Sequence, residues 1–529
     1  MHTRSYNHIK NFLFPCLFFS IIAGFLSAII VTVFKLVADG VIHLSNMLYG
    51  TVRANPIYLP LLVLGAVSIG FVASFILSNS RSCRGGGIPT SVAAIRGIVS
   101  FRWYAGVFIL PFSALLTFLC GIPLGTEGPC VQMGTAIGNG VITCFSSKKY
   151  KGWRRYIMTG GASAGFSIAT SSPITAIIFS MEELHKKFSP ILLTVVSLSV
   201  ISAQVTAQIL AAFGIGSVSL FNIPAIDSIE PKMFFAPLLI GIVCGVGSIL
   251  FTRLYHFIDR GMQTILKKLS VKIVIPILFV CISVVGYFLS DVLGTGHSLT
   301  DRVLRTEITW YILILIFLIR AVVMIVSNTA GATGGIFLPT IAFGAIIGSL
   351  CAEAMIALGW LGDEHYILIV VLGITAFLGA TSRIPITACV FAIESLGGIN
   401  NIISVIIATT VASLVVEVSG LEDFTDTVIK TKVRSISKGK EPTVIETPLT
   451  VNKNSFAVGK ELRDILWPTS CVVLSFKHAK DNPNHVGIAE GDVITVRYKT
   501  YNPVATAEEF ECIVGEQSEQ INNLMNPQV

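Results

Sequence analysis

The chain has 529 residues, 53% hydrophobic and 13% charged, with a mean hydropathy of +0.78 and a formal net charge of +7. The charged share is roughly half that of a soluble domain, which excludes an ordinary water-soluble protein and makes this an integral membrane protein. A charge of +7 belongs to basic loops at a membrane face rather than to a nucleic-acid partner.

In chain order, Arg4 and Lys10 precede the apolar run Phe12–Phe34. The run is too long for the core of a secretory signal and reads as the first membrane helix. Further runs of spanning or near-spanning length are Ile57–Leu77, Ile191–Phe213, Phe234–Phe251, Ile273–Leu289 and Trp310–Val326. Ile367–Leu378 and Ile402–Val416 are shorter or broken, as expected where a binding site lies inside the membrane. Arg320, inside its apolar run, reads as a snorkelling or paired charge. The 11 cysteines show no CxxC and no Cys/His cluster, so no metal site is expected. Cys16, Cys120, Cys244 and Cys351 sit among apolar residues and read as small packing groups, as does Cys130.

The first break is Gly85-Gly86-Gly87-Ile88-Pro89, an unwound segment leading to a helix start. The central stretch is Gly125–Gly138, GTEGPCVQMGTAIG, with Glu127 set between glycines and a proline. Pro129 suits a first helical turn, and the free N–H groups of that turn form an anion site. An ionisable residue at such a place in a membrane marks a functional site. A basic loop follows, with Lys148, Lys149, Lys151, Arg154 and Arg155.

Each of these motifs has an echo. GIFLPTIAFGAIIG at Gly335–Gly348 repeats the glycine and proline spacing of Gly125–Gly138 at an offset of 210, with Phe337 in place of Glu127. Gly294-Thr295-Gly296-His297 answers the Gly85 motif at 209, and Gly373–Leu396 answers Gly161–Leu184 at 212, pairing Pro173 with Pro385 and Glu182 with Glu394. Three matches in one order make a tandem repeat. The counterpart of the basic loop carries Asp363 and Glu364, and the counterpart of His185-Lys186-Lys187 is Gly397-Gly398. Loops of the first half are then cytoplasmic and those of the second external, so the repeats are inverted with the site near mid-depth.

Composition shifts after Gly420. Basic, serine-containing Lys430–Lys440 reads as a cytoplasmic linker. Strands are predicted at Thr443–Val451, Cys471–Phe476 and Val493–Tyr498, and short helices at Val458–Ile465 and Ala505–Phe510. The polar end Gln517–Val529 reads as disordered. The expected architecture is an all-α polytopic membrane protein with an inverted internal repeat and a small C-terminal α+β cytoplasmic domain. Its membrane part is 1–430, with repeats over about 57–215 and 270–420, followed by a linker at 431–442 and a soluble domain at 443–529.

GGGIP at Gly85–Pro89, GTEGPCVQMG at Gly125–Gly134 and GGIFLP at Gly334–Pro339 resemble the three signature stretches of the CLC chloride channel and transporter family, in order and spacing, across residues 12 to 430. The tail, with VGKELRDI and EGDVITVRY, resembles the C-terminal ligand-binding module (TrkA-C or RCK-C type) of potassium-transport regulators. The resemblance implies the CLC fold and a homodimer with one anion pathway per subunit. It implies that Glu127 is the external gating glutamate and Glu183 the inner proton-passing one. The backbone N–H groups of Ile336 and Phe337 would bind the central anion, with Gly86 at a further binding position. Read from the residues alone, Glu183 is instead a solvated carboxylate beside Lys186 and Lys187. The family's serine is here Gly86, its arginine before the gating glutamate is Thr126, and its central tyrosine is Thr425 or Phe424, depending on the alignment.

The implied partners are chloride or another small anion, protons, the bilayer and a second copy, with a possible small ligand at the tail. The implied activity is proton-coupled chloride antiport. A passive chloride channel and a fluoride/proton antiporter are the alternatives. An enzyme is not expected, because none of the nine histidines falls into ligand spacing and no nucleophile constellation is present. No cofactor and no nucleic acid are implied.

Overall fold

In lipid, every backbone N–H and C=O must be satisfied within the protein, so apolar runs of spanning length form helices. The computed structural model describes residues 14–436 and 442–517, except 86, 100–101, 146–147, 217–220, 222, 224–225, 227–232, 454, 469–470, 480–486 and 501–502. Among the described residues, eight helices are long and apolar enough to cross a membrane. The first half contains α1 (Phe14–Ala54), α2 (Leu59–Asn79), α3 (Ile88–Ile95), α4 (Leu110–Leu119), α5 (Glu127–Phe145), α6 (Arg154–Thr170), α7 (Pro173–Phe179) and α8 (Pro190–Ala212). A π-helical turn, Ser180–His185, prolongs α7. The second contains α9 (Phe235–Lys268), α10 (Val271–Phe288), α11 (His297–Leu304), α12 (Trp310–Ala330), α13 (Phe337–Ala357), α14 (Tyr366–Ser382), α15 (Pro385–Ser395) and α16 (Ile402–Val418). A last helix, α17 (Phe424–Ile436), leads out of this part.

The predicted first span is too short. α1 runs 41 residues, to Ala54, through Lys35 and Asp39. Lys35 does not end it, because its ammonium donates to the carbonyls of Ile168 and Ala169 at 3.1 and 2.9 Å, satisfying the end of α6. Arg320 is fully buried and paired with backbone. Its guanidinium donates to the carbonyls of Val292, Leu293 and Gly294 at 2.7–3.0 Å. Cys16, Cys120, Cys130 and Cys244 are buried free thiols and Cys351 is half-buried.

The two halves meet in an antiparallel bridge between Gly125 and Gly335, with reciprocal N–H···O bonds of 2.6 and 2.7 Å. Such a pair maps onto itself under a local two-fold rotation. Further contacts obey it. The Gly294 N–H donates to Gly121 O at 2.9 Å and the Gly85 N–H to Gly331 O at 3.0 Å, and these four residues are themselves repeat partners. Close packing is repeated as well. A Cβ on Gly134 of α5 would overlap the Gly161 carbonyl of α6, and one on Gly344 of α13 would overlap that of Gly373 in α14.

The tail is a three-stranded antiparallel sheet of order β1-β3-β2, with β1 Thr443–Thr450, β2 Val472–Lys477 and β3 Val493–Thr500. α18 (Pro503–Val514) packs Phe510 on Tyr498, with ring centroids 4.8 Å apart. Three tail expectations are corrected. Val458–Ile465 is not a helix: Gly459 takes φ 81°, its N–H and the Lys460 carbonyl bond to Ile488, and only the turn Leu462–Asp464 remains helical. The stretch read as a linker is entered by α17, which continues to Ile436. Gln517 is ordered by two bonds to the Thr450 backbone, at 2.9 and 3.0 Å; residues 518–529 lie outside the described residues.

The tail sits on the start of α6. Arg155 pairs with Glu509 and donates to the Leu466 carbonyl at 3.1 Å. The Tyr156 hydroxyl donates to the Asp464 carbonyl and accepts from Leu466 N–H at 3.1 Å. Trp153 meets Phe456 edge-on at 5.3 Å. Lys460 lies over the Phe456 ring at 3.6 Å, and burial pushes its ammonium down to about 7, against the pull of Asp464.

Candidate functional site

Three helix starts converge where the motifs come together. α3 begins after Gly87, α5 at Glu127 and α13 at Phe337. A Cβ on Gly87 would lie 2.8 Å from Gly128 Cα, and one on Gly128 would lie 2.6 Å from Gly335 Cα. Only glycine lets three backbones approach this closely. The first-turn N–H groups of an α-helix have no intrahelical acceptor and carry the positive end of its dipole. Those of Ile336 and Phe337 stand at the open start of α13. The Phe337 ring meets Phe166 and Phe391 edge-on at 5.2 and 5.6 Å, which fixes that start against both halves.

Glu127 is 0% exposed. Its Oε1 accepts from the Thr126 hydroxyl at 3.0 Å, while Oε2 is buried without a partner and lies against Gly125. Its nearby basic residues are Lys35 and His297. One candidate N–H is already used: Gly87 N–H donates to Gln132 Oε1 at 2.7 Å, and Gln132 Nε2 donates to Ser82 O at 3.0 Å. Gly86 lies outside the described residues.

Glu183 is 2% exposed, so the alternative of a solvated carboxylate does not hold. Its Oε1 accepts from the Thr425 hydroxyl at 2.5 Å and its Oε2 has no partner. Around it, Lys186 bridges Asp423 and Asp426 at 2.6 and 2.9 Å. Arg96 holds the Glu183 and Leu184 carbonyls, each at 3.1 Å, and pairs with Asp426 at 3.3 Å. Beside this shell opens a pocket of about 430 Å³ lined by Lys186, Arg383, Asp423, Asp426 and Lys430. Of the two residues aligned with the family tyrosine, Thr425 thus faces Glu183. Phe424 is buried, edge-on to Tyr255 at 4.5 Å.

Sequence reasoning missed a pair of acids that hold this scaffold. Glu182 accepts from Ile386 N–H at 3.0 Å and from Thr387 N–H and hydroxyl at 2.7 Å each, capping α15. Glu394 accepts from Ile174 N–H at 2.9 Å and from Thr175 N–H and hydroxyl at 2.7 and 2.6 Å, capping α7. The signal was present, since both acids and both threonines are repeat partners. Glu183 has no such duty, and its repeat partner is Ser395.

Residues 65–417 match the family model described as voltage gated chloride channel. A protein of Vibrio campbellii named H(+)/Cl(-) exchange transporter ClcA is 26% identical over 413 residues, 77% of this chain and 87% of that one. A protein of the same name from Cronobacter sakazakii is 27% identical over 354 residues, 65% of this chain and 74% of its own. Among solved structures, a slow cyanobacterial Cl-/H+ antiporter superposes with a TM-score of 0.71 at 20% identity, covering 79% of this chain and 98% of the other. A CLC-type fluoride/proton antiporter superposes with a TM-score of 0.60 at 23% identity, covering 76% and 95%. With two thirds of its length matched by the family model and the same fold found in these structures, the chain belongs to the voltage-gated chloride channel (CLC) family.

Proposed function

We propose that this protein exchanges chloride, or a related halide, for protons across a membrane. One observation carries the reading: two carboxylates are buried, Glu127 at the cluster of helix starts and Glu183 in the π-helical turn that ends α7, each with one unpartnered oxygen. A buried charged oxygen without a partner is costly, and a bound proton removes that cost. Both acids therefore suit proton uptake and release, and the exchange transporters among the relatives carry the same pairing of ions in their names.

In the proposed cycle, ionised Glu127 occupies the positive focus of the helix starts. Protonated, it leaves, and the anion takes the N–H groups of Ile336 and Phe337. Glu183, held by Thr425, passes protons between Glu127 and the pocket beside Lys186 without touching the anion. Gly86 adds no side-chain donor. The work is transport, with no chemical conversion and no cofactor.

The subunit acts in the bilayer as a homodimer with one pathway per copy. The basic loop before α6 and the tail share one face, joined by Arg155 and Tyr156, which supports a cytoplasmic side bearing both termini. Residues 1–430 carry transport, 431–442 link, and 443–529 regulate, with room for a small ligand. The second reading is fluoride/proton exchange, favoured by the lack of hydroxyl donors at Gly86 and by the Thr425 hydroxyl being committed to Glu183.

The test is purified protein in liposomes under a chloride gradient, with chloride and pH read together. Chloride leaving and protons driven uphill supports exchange. Chloride flux at constant pH replaces it with a passive channel. Proton movement that requires fluoride instead of chloride selects the second reading.

A further inference from the structure

In the reading above the anion is short of side-chain donors. Gly86 has none, Thr126 is uncharged and donates to Glu127, and the Thr425 hydroxyl is committed to Glu183. One further amide stands at the meeting of the motifs. Asn328 lies in the last turn of α12, where the chain heads for Gly335. Ser327 and all of Thr329 to Gly335 are buried, while Asn328 and then Ile336 are not. The two open points of this segment are thus Asn328 and the residue proposed to offer its N–H to the anion. The Asn328 carbonyl accepts from Gly331 N–H at 3.1 Å, and a Cβ on Gly85 would lie 3.4 Å from that carbonyl. Asn328 thus lies beside Gly85, four residues before the chain reaches Ala332–Gly335.

Its side chain is held in one orientation. Asn328 Oδ1 accepts from the Tyr255 hydroxyl at 3.0 Å. Tyr255 is 3% exposed, and Phe424 packs on its ring, so the phenol cannot swing away. An amide whose oxygen is fixed has its plane fixed, and its two N–H donors face away from the phenol. None of the described groups accepts from them.

We propose that Asn328, set by Tyr255, donates its amide N–H to the transported anion and supplies the side-chain donor missing at Gly86 and Thr425. The inference rests on the anion-transport reading above. Asn328 is the ligand and Tyr255 a positioning residue. A neutral donor at fixed geometry favours a compact, strongly accepting halide over a diffuse anion such as nitrate.

Chloride titration calorimetry on the full-length purified chain tests this independently of flux. Losing a hydrogen bond to a charged ligand should weaken binding about tenfold in Asn328→Leu. Asn328→Asp, which places a carboxylate at the anion, should weaken it further. Tyr255→Phe should weaken it about threefold to fivefold, and Asn328→Leu should then cost less than in the parent, because a freed amide no longer points at the anion. That non-additivity would not follow from packing damage at two sites. Asn328→Leu binding chloride within twofold of wild type, with nitrate discrimination unchanged, overturns the inference. Where Asn328→Leu fails to fold, Tyr255→Phe decides, and unchanged affinity there overturns it too. Wild-type protein that binds no halide sinks the transport reading itself.

Discussion

The reciprocal caps give a sharp test of the fold because each acid holds a helix of the other half. Glu182→Ala removes three hydrogen bonds from the first turn of α15, two of them at 2.7 Å. A bond to an ionised acceptor contributes about 1.5–3 kcal/mol, and loss of a helix cap costs about 1–2 kcal/mol. The three bonds together are the cap, so the two figures describe one loss and are not summed. The loss is then about 2–3 kcal/mol, and Glu182→Gln, which keeps one acceptor oxygen, should cost less than half of that. Glu394→Ala, with bonds of 2.6–2.9 Å to Ile174 and Thr175, should match Glu182→Ala. Both caps join the same two helices, α7 and α15, so the double variant should depart from the sum of the single ones.

Thermal melting of the detergent-solubilised protein, followed by tryptophan fluorescence, reads this as a drop of a few degrees for each alanine variant. Melting of Glu182→Ala within a degree of wild type would refute the capping account, and a large effect at only one of the pair would refute its symmetry. The same variants separate neighbouring acids. Glu182→Gln should retain proton coupling in liposomes, because its carboxylate is spent on backbone N–H groups rather than on protons.

Glu127→Gln should give anion flux independent of pH with no proton movement, and Glu183→Gln should keep pH-sensitive anion flux while losing proton movement, both read in the chloride and pH liposome assay. Lys460, depressed from its ordinary 10.5 to about 7, binds fewer protons in the docked tail than in the released one. Tail docking should therefore strengthen as pH rises from about 7 toward 10.5 and stay flat at its weakest below about 7, where the ammonium is protonated in both states, and Lys460→Met should remove this dependence in pH-resolved melting curves. Truncation before Thr443 should leave anion flux measurable, since all the motifs lie upstream; loss of flux from a folded truncated protein would show that docking on Arg155 and Tyr156 is required for transport.

Much of the scaffold was legible because its signals are local or periodic. Offsets of 209, 210 and 212 exposed the repeat, and glycine–proline breaks inside apolar runs exposed the helix starts. What stayed hidden depends on contacts between distant segments. Lys35 looked like the end of a span until the α6 carbonyls it satisfies were in view. The lysines beside Glu183 gave its residues alone no sign of burial, and the hydroxyl that meets its carboxylate comes from Thr425, 242 positions away. Val458–Ile465 had helical composition, but pairing with Ile488 outweighed that weak local preference. The seating of the tail on α6 leaves no periodic trace at all.

The symmetry of the scaffold is also what gives the proposed site its direction. An anion on a two-fold axis would meet two equivalent helix starts and have no reason to couple to protons arriving from one side. The chain breaks the equivalence only in side chains. Glu127 faces Phe337 as its repeat partner, and Glu183 faces Ser395, so both candidate acids lie in the first half while the second offers bare N–H groups. Phe337 could not be exchanged for an acid to make a second gate, because its ring is gripped between Phe166 and Phe391. Phe337→Glu would bury a carboxylate between two aromatic rings, Phe166 and Phe391, and remove the contacts that fix the start of α13. It should therefore abolish anion binding rather than add proton coupling. Chloride titration of that variant reads the outcome, and retained binding with faster proton movement would mean that the two helix starts are interchangeable after all.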